Sequence, residues 1–190
     1  MRIVGFDPGL SSFGVAIIAV DKAGEARVEA LKVIRTQRSA KKRHLRAVDD
    51  LADRLKTIAA ALQTVLTAPD VIAIAIEGGV LPFRKIRPSV VSALGRARGL
   101  VDMLAVIHSL AVVELTPQET KLALAGKRSA SKAEVQLGVE GRCPETQTMW
   151  PKQRTLIEHA SDAAAVALAA LDSSDVIKAA LRTAASFHAP

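Results

Sequence analysis

The sequence predicts one α/β domain built on a mixed five-stranded sheet, with three antiparallel strands first, then parallel strands, and helices flanking the sheet. Three observations predict this class. The chain opens with three β-rich segments whose short connections fit only hairpins. Its later strands alternate with long helices, as in α/β proteins. Its 190 residues suit a single domain with its own hydrophobic core.

The first three strands are predicted at residues 2–7, 13–20 and 27–34. Each segment is rich in β-branched and other apolar residues, as strands are. The two connections, residues 8–12 and 21–24, contain the turn-forming residues Pro8, Gly9 and Gly24. We therefore expect two successive antiparallel hairpins.

An amphipathic helix is predicted over residues 43–66, and a buried strand follows at residues 71–77. The helix carries apolar residues at spacings of three and four: Leu45, Val48, Leu51, Leu55, Ile58, Leu62 and Leu66. The strand, VIAIAIE, is apolar on both faces, which is typical of a parallel strand covered by helices on both sides. Strict alternation puts Ile72, Ile74 and Ile76 on one face and Ala73, Ala75 and Glu77 on the other.

The second half of the chain is predicted to be mostly helical. We expect a helix over residues 89–109, a short strand at 111–115, helices at 118–124 and 132–139, an irregular stretch around Cys143, a long Ala-rich helix at 154–171 and a weaker helix at 175–185. No internal repeat is visible. We divide the chain into a main domain, residues 1–172, and a C-terminal helical tail, residues 173–190.

Two acids are predicted to meet at one edge of the sheet. A right-handed crossover places the fourth strand beside and parallel to the first, which is the RNase H-like arrangement. Asp7 and Glu77 end these strands and would lie about 5 Å apart across the ladder. Taken singly, Asp7 also fits a cap of the Pro8–Gly9 turn and Glu77 a solvent-facing acid. Together they would repel each other unless a cation lay between them, and oxygen ligands suit Mg²⁺ or Mn²⁺.

The Ala-rich helix carries two further polar residues on one face. His159 and Asp162 are three residues apart, and small or apolar residues surround them. Taken alone, His159 fits a hydrogen-bonded, partly buried histidine as well as a ligand. An acid in an apolar stripe is harder to explain without a partner.

Composition narrows the function classes. Twenty-six Lys and Arg against 19 Asp and Glu give a net charge of +7, which favours a polyanionic partner such as nucleic acid. With 3% aromatic residues and no Tyr, a single-strand binder built on stacked rings is not expected. The single Cys143 excludes a disulfide framework and indicates a cytoplasmic protein. No apolar run approaches the roughly 20 residues of a membrane span, so no membrane association is expected.

Five short segments stand in register along residues 1–171: IVGFDPGLSSFG, AIAIEGG, LGRARGLVDMLA, TPQETKLALAG followed by SASKAEV, and HASDAAAVALA. In order and spacing they resemble the RuvC family of Holliday-junction resolvases. The resemblance implies an RNase H-like, homodimeric endonuclease that cuts four-way branched DNA with Mg²⁺ or Mn²⁺ during recombination and repair. It also implies a branch-migration helicase as a partner.

The resemblance carries over to this chain residue by residue. It implies that Asp7, Glu77, His159 and Asp162 form the catalytic metal site, with His159 at a position that is Asp in some members and His in others. It implies that Lys121 and Lys132 reach phosphate. A two-metal site would activate water and stabilise the leaving oxygen, and three acids suffice to hold it. His159 could ligate a metal, orient the water or transfer a proton.

The basic loops are predicted to contact DNA. Phe83 is the first aromatic after Glu77, and its neighbours Arg84, Lys85 and Arg87 could hold phosphates while its ring stacks on a base at the junction centre. Packing of Phe83 under its own loop is the alternative. A further basic run, residues 35–46, and Arg96 and Arg98 on the next helix extend this surface.

Two other function classes remain open. Asp7 to Gly14 also fits the D-x-G-x-x-x-x-G phosphate loop of nucleotide-binding phosphotransferases of the actin and sugar-kinase type, although 190 residues hardly supply the two copies of the fold that these enzymes use. A junction-binding protein without catalysis is the other.

Paired symmetric nicks require two active sites related by a two-fold axis, so a homodimer is predicted. Its interface is expected along one stripe of the helix at 89–109: Val90, Ala93, Leu94, Ala97, Val101 and Leu104. For Gly95 and Gly99 on the same helix, close packing within the domain is the simpler interpretation, and a dimer helix is the alternative that the resemblance implies.

Overall fold

A computed structural model describes residues 1–39, 46–78 and 87–187, with side chains as far as Thr183. These residues form one five-stranded sheet in the order β3-β2-β1-β4-β5. Its strands are β1 Arg2–Asp7, β2 Ser12–Val20, β3 Ala26–Arg35, β4 Val71–Glu77 and β5 Ala111–Leu115. The first three pair antiparallel, whereas β4 runs parallel to both β1 and β5. The predicted mixed sheet is therefore confirmed.

The described helices are α1 Ala47–Leu66, α2 Pro88–Ile107, α3 Pro117–Ala125, α4 Lys132–Arg142, α5 Thr146–Met149, α6 Arg154–Ser173 and α7 Asp175–Phe187. Most predicted bounds are met within one or two residues. The predicted first turn of α1 lies largely at residues 43–45, outside the described residues. The stretch predicted as irregular around Cys143 contains the four-residue helix α5. None of the described helices is long and apolar enough to cross a membrane.

The sheet separates two hydrophobic clusters. On one face α6 packs against β1 and β2, and its alanines, among them Ala163, Ala164 and Ala167, are fully buried. On the other face α1 and α2 contribute Ile58, Leu62, Val101 and Leu104. Small side chains let a helix lie close to the sheet, so α6 approaches the strands more closely than larger residues would allow.

The close approach of α6 depends on two glycines in the strands. A Cβ atom on Gly5 of β1 would stand 2.0 Å from the backbone oxygen of Ala163, and one on Gly14 of β2 would stand 2.1 Å from that of His159. Both distances are far inside van der Waals contact. Gly14, the last glycine of the phosphate-loop pattern, is therefore accounted for by helix packing.

The register of β4 corrects one predicted face. Arg2 pairs with Val71 and Ile3 with Ala73, so the pairing skips Ile72 as a β-bulge. As a result Ile72 packs with the α6-side cluster, whereas Ile74 and Ile76 lie in the α1 and α2 cluster. The prediction that all three isoleucines share a face was wrong for Ile72.

The predicted dimer stripe on α2 also needs correction. Ala97 and Val101 are fully buried and Leu104 nearly so, and Val101 and Leu104 lie in the cluster that covers the sheet of their own chain. The large apolar side chains that α2 exposes near its end are instead Met103, Val106 and Ile107. A Cβ atom on Gly95 or Gly99 would meet no described atom outside its own stretch of helix within 4 Å, so the described residues show no close packing at these glycines.

Helix α7 lies against the main domain. Its Ile177 is fully buried in the α6-side cluster, and Leu181 packs against the same cluster. The division of the chain at residues 172 and 173 stays a prediction.

Candidate active site

Two neighbouring strands and one helix bring four of the predicted site residues together. Asp7 and Glu77 follow the paired residues Phe6 and Ile76 at the carboxyl ends of the parallel strands β1 and β4. His159 and Asp162 lie on the sheet-facing side of α6, near its amino-terminal end. The carboxyl end of parallel strands is where α/β folds place ligands. The predicted convergence of these side chains is thus present in the fold.

Asp7 and His159 form a direct pair. The ring Nδ1 of His159 donates to Asp7 Oδ2 across 2.6 Å. This hydrogen bond is the main reason that the pKa of His159 is raised above its ordinary value. Because Nδ1 is engaged, Nε2 is the nitrogen left for a ligand or a proton. The carbonyl that Gly14 accommodates belongs to His159 itself, so the glycine and the pair are structurally linked.

The carboxyl groups of Glu77 and Asp162 have raised pKa values. Burial, followed by the nearby charges of Asp162 and Asp7, raises the pKa of Glu77 to about 7. Burial is also the largest cause of the raised pKa of Asp162, and Asp7 adds to it. Three carboxylates that disfavour one another's charge form an environment that a cation would relieve.

A cleft of about 270 Å³ lies beside these acids. Its lining brings together residues from β4, α3, α4 and α6: Glu77, Pro117, Thr120, Lys121, Lys132, Val135 and Asp162. The hydroxyl of Thr120 is buried, and it has no hydrogen-bond partner among the described residues. An unpaired buried hydroxyl is costly, so the cleft has a polar group available to a ligand.

Two lysines are positioned by capped helices. Thr116 and Glu119 form a capping box at the start of α3, and Ser131 and Glu134 form one at the start of α4. Lys132 is the first residue of α4 and contacts two carboxylates of α6, that of Glu158 and, at 3.2 Å, that of Asp162. Lys121 and Lys132, both implied by the family resemblance, therefore lie at the cleft.

The other predicted DNA-binding residues are only partly described. Arg87 is exposed immediately before α2. Phe83, Arg84 and Lys85 lie outside the described residues, as do residues 40–45 of the basic run. Arg98 of α2 is paired with Glu114 of β5.

Sequence reasoning missed Glu158 and Thr120. Glu158 stands four residues before Asp162 and therefore on the same face of α6, a spacing that could have identified it. Nothing in the sequence marks Thr120, since its lack of a partner depends on tertiary packing.

Whether the four candidate residues suit a metal ion is decided by the chemistry of their donor atoms. Within residues 1–39, 46–78 and 87–183, no three His, Cys, Asp or Glu side chains are arranged so that they could hold a metal ion. Two of the candidate ligands are instead paired, Asp7 with His159 and Asp162 with Lys132. Three converging carboxylates of like charge nevertheless fit a hard divalent cation, because each pair engages only Oδ2 and leaves Oδ1 of Asp7 and of Asp162 for the ion.

The raised pKa of Glu77 leads to a testable pH dependence. Between pH 4.5, the ordinary value, and about 7, the unfolded chain is ionised at Glu77 while the folded chain is not. The free energy of unfolding therefore falls as the pH rises through this window. Above pH 7 Glu77 is ionised in the folded protein too, and the full loss of stability has been reached. In metal-free buffer Glu77→Gln should stabilise the protein on the order of 2 kcal/mol at pH 8.

Thermal unfolding of both proteins from pH 4 to 8 measures this effect, and the difference should vanish near pH 4. A difference that is the same at both ends would show that the carboxyl of Glu77 is not perturbed. Glu25→Gln, on the exposed turn before β3, is the control and should change little at any pH.

Comparison with known proteins gives a consistent result. The family model described as crossover junction endodeoxyribonuclease RuvC matches residues 3–170. A relative of that name from Synechococcus sp. (strain CC9902) is 33% identical over 170 residues, 88% of this chain and 96% of the relative. One from Chlamydia abortus is 32% identical over 139 residues, 72% of this chain and 76% of the relative. The solved structure of Thermus thermophilus RuvC in complex with a Holliday junction substrate superposes with a TM-score of 0.70 at 28% identity, covering 89% of this chain and 92% of that one.

Proposed function

The chain belongs to the RuvC family of crossover junction endodeoxyribonucleases, and from that membership we propose that it resolves four-way DNA junctions by paired symmetric nicks in recombination and repair. The observation that carries the proposal is the meeting of three mutually repelling carboxylates beside a lysine-lined cleft. A phosphodiester is a substrate that such a site fits, because the lysines can bind phosphate while the acids hold a cation.

The cofactor that we propose is Mg²⁺ or Mn²⁺, held by Asp7, Glu77 and Asp162, with His159 as a fourth ligand or as a proton carrier. When bound, the cation would supply charge compensation for the phosphate and lower the pKa of water. Asp7 orients His159 through Nδ1, which leaves Nε2 to act. Burial of Glu77 keeps water from screening the charges of the acids.

Contacts to DNA are proposed for two groups of residues. Lys121 and Lys132 bind phosphate at the cleft. Arg87 and the preceding Phe83, Arg84 and Lys85 approach the junction centre, where the ring of Phe83 stacks on an unpaired base.

The assembly that we propose is a homodimer, because two symmetric nicks need two active sites. Its interface includes the exposed apolar residues near the end of α2, Met103, Val106 and Ile107. We also propose that the protein acts in the cytoplasm, together with a helicase that migrates the branch point.

Cleavage of a labelled four-way junction by one preparation, with Mg²⁺ and with a chelator, tests the function. We expect metal-dependent cleavage of the junction and little of a linear duplex of the same sequence. Binding without cleavage under both conditions would favour the non-catalytic alternative. No action on DNA, together with a raised melting temperature in a nucleotide, would favour the phosphotransferase.

A further inference from the structure

We propose that Glu158 is an internal competitor of DNA phosphate for the ammonium group of Lys132, and so sets the affinity of the cleft for its substrate. The proposal rests on the proposed function, since it assumes that Lys132 binds a phosphate of DNA. Glu158 is neither among the four candidate metal-site residues nor part of the lining of the cleft.

The geometry places one lysine between two acids. Lys132, at the start of α4, contacts Glu158 Oε1 and lies 3.2 Å from Asp162 Oδ2. The two acids are one turn apart on α6, so a single ammonium reaches both. A phosphate oxygen entering the cleft would need the same N–H donors that these carboxylates occupy.

Asp162 and Glu158 differ in burial and in the partners that are available to them besides Lys132. Asp162 is largely buried, with 20% of its side chain exposed, and it faces Asp7 and Glu77. It has the metal as an alternative partner in the proposed mechanism. Glu158 is 48% exposed and has Lys132 as its only described ion-pair partner. Glu158 is the acid in closer contact with Lys132, so it is the group that phosphate must first displace, with or without a cation at Asp162.

This exchange has a measurable signature in salt. Each lysine that newly contacts a phosphate of duplex DNA steepens the dependence of log K on log salt concentration by about 0.9. When Lys132 leaves Glu158 to bind phosphate, DNA releases a condensed cation, but the freed carboxylate of Glu158 takes up a cation from the buffer. The net number of cations released on binding is therefore smaller than for a lysine that has no acidic partner. Removing the carboxylate should therefore both tighten binding and steepen the salt dependence.

A matched control exists on the same pair of helices. Asp172, near the end of α6, is paired with Arg142 of α4 and is 46% exposed. It stands 14 residues after Glu158, which is about 21 Å along a helix. Asp172→Asn therefore removes the same charge from the same helix and frees a basic residue of α4 far from the cleft.

The experiment measures binding of a four-way junction in a chelator, from 50 to 300 mM salt, for the full chain and its variants. Glu158→Gln should tighten binding about threefold or more at low salt and steepen the slope by up to about 0.9. Asp172→Asn should change affinity by less than twofold. Lys132→Gln should weaken binding more in the Glu158→Gln background than in the original protein.

Equal effects of Glu158→Gln and Asp172→Asn, or independent effects of Glu158→Gln and Lys132→Gln, would overturn the proposal. Junction binding by the original protein, seen in the same titration, separates this failure from failure of the proposed function. If the original protein does not bind the junction and does not cut it with Mg²⁺, the proposed function itself fails.

Discussion

Asp7→Asn is expected to lower metal-dependent cleavage of a four-way junction by at least about 10³-fold, while binding of the junction stays unchanged or tightens. The substitution keeps the size of the side chain and removes one charge from the group that would hold the cation. A loss of that size corresponds to about 4 kcal/mol, which is in the range that a metal site contributes. Binding should persist because Lys121 and Lys132, which line the cleft and which we propose to contact phosphate, are untouched.

Asp162→Asn should behave like Asp7→Asn, because it removes a charge from the same group. Single-turnover cleavage and equilibrium binding in a chelator, measured on one preparation of each variant, separate the two effects. Glu25→Gln is again the charge control and should retain full cleavage. Cleavage by Asp7→Asn within tenfold of the original rate would mean that Asp7 is not part of the catalytic centre.

Gly14→Ala should both destabilise the protein and impair cleavage. Its Cβ would stand 2.1 Å from the carbonyl oxygen of His159, so either α6 or β2 must move. Such overpacking costs about 1–3 kcal/mol, or roughly 3 to 10 °C in melting temperature for a chain of this length. Because the displaced residue is His159, its bond to Asp7 is broken or lengthened, and a shift of about 1 Å costs on the order of 10²-fold in rate.

The control for this prediction is Gly141→Ala. Gly141 lies on an exposed part of α4, and its Cβ would meet no described atom within 4 Å, so the change should stabilise the helix by up to about 1 kcal/mol. Circular dichroism verifies that Gly14→Ala is folded at the assay temperature. A folded variant with the original melting temperature and full activity would show that α6 does not approach the sheet as closely as described.

The order of strands and helices was largely predictable because each is marked by a pattern within its own short segment. Apolar runs that end in a turn or an acid define β1, β4 and β5, and their predicted bounds agree with the structure residue for residue. The spacing of apolar residues identified α1 and α6 in the same way. The placing of Asp7 beside Glu77 followed from one topological rule, the right-handed crossover.

The errors came from contacts between distant segments. The bulge at Ile72 depends on how β4 pairs with β1, which the sequence of β4 alone does not encode. The apolar stripe of α2 was identified correctly, but a stripe does not reveal what covers it, and Val101 and Leu104 pack in the cluster on the sheet of their own chain. The bond between Lys132 and Glu158 joins residues 26 apart, so no local pattern predicts it.

The most direct test of the central claim is the position of the metal. Anomalous difference density from a crystal soaked in Mn²⁺ should show a peak within about 2.5 Å of carboxylate oxygens of Asp7 and Asp162, with Glu77 or His159 completing the ligand set. The Asp7–His159 and Asp162–Lys132 pairs each engage only Oδ2, so Oδ1 of each acid would hold the ion while the pair persists. A peak only at other residues, or none at a Mn²⁺ concentration that supports full cleavage, would contradict the account.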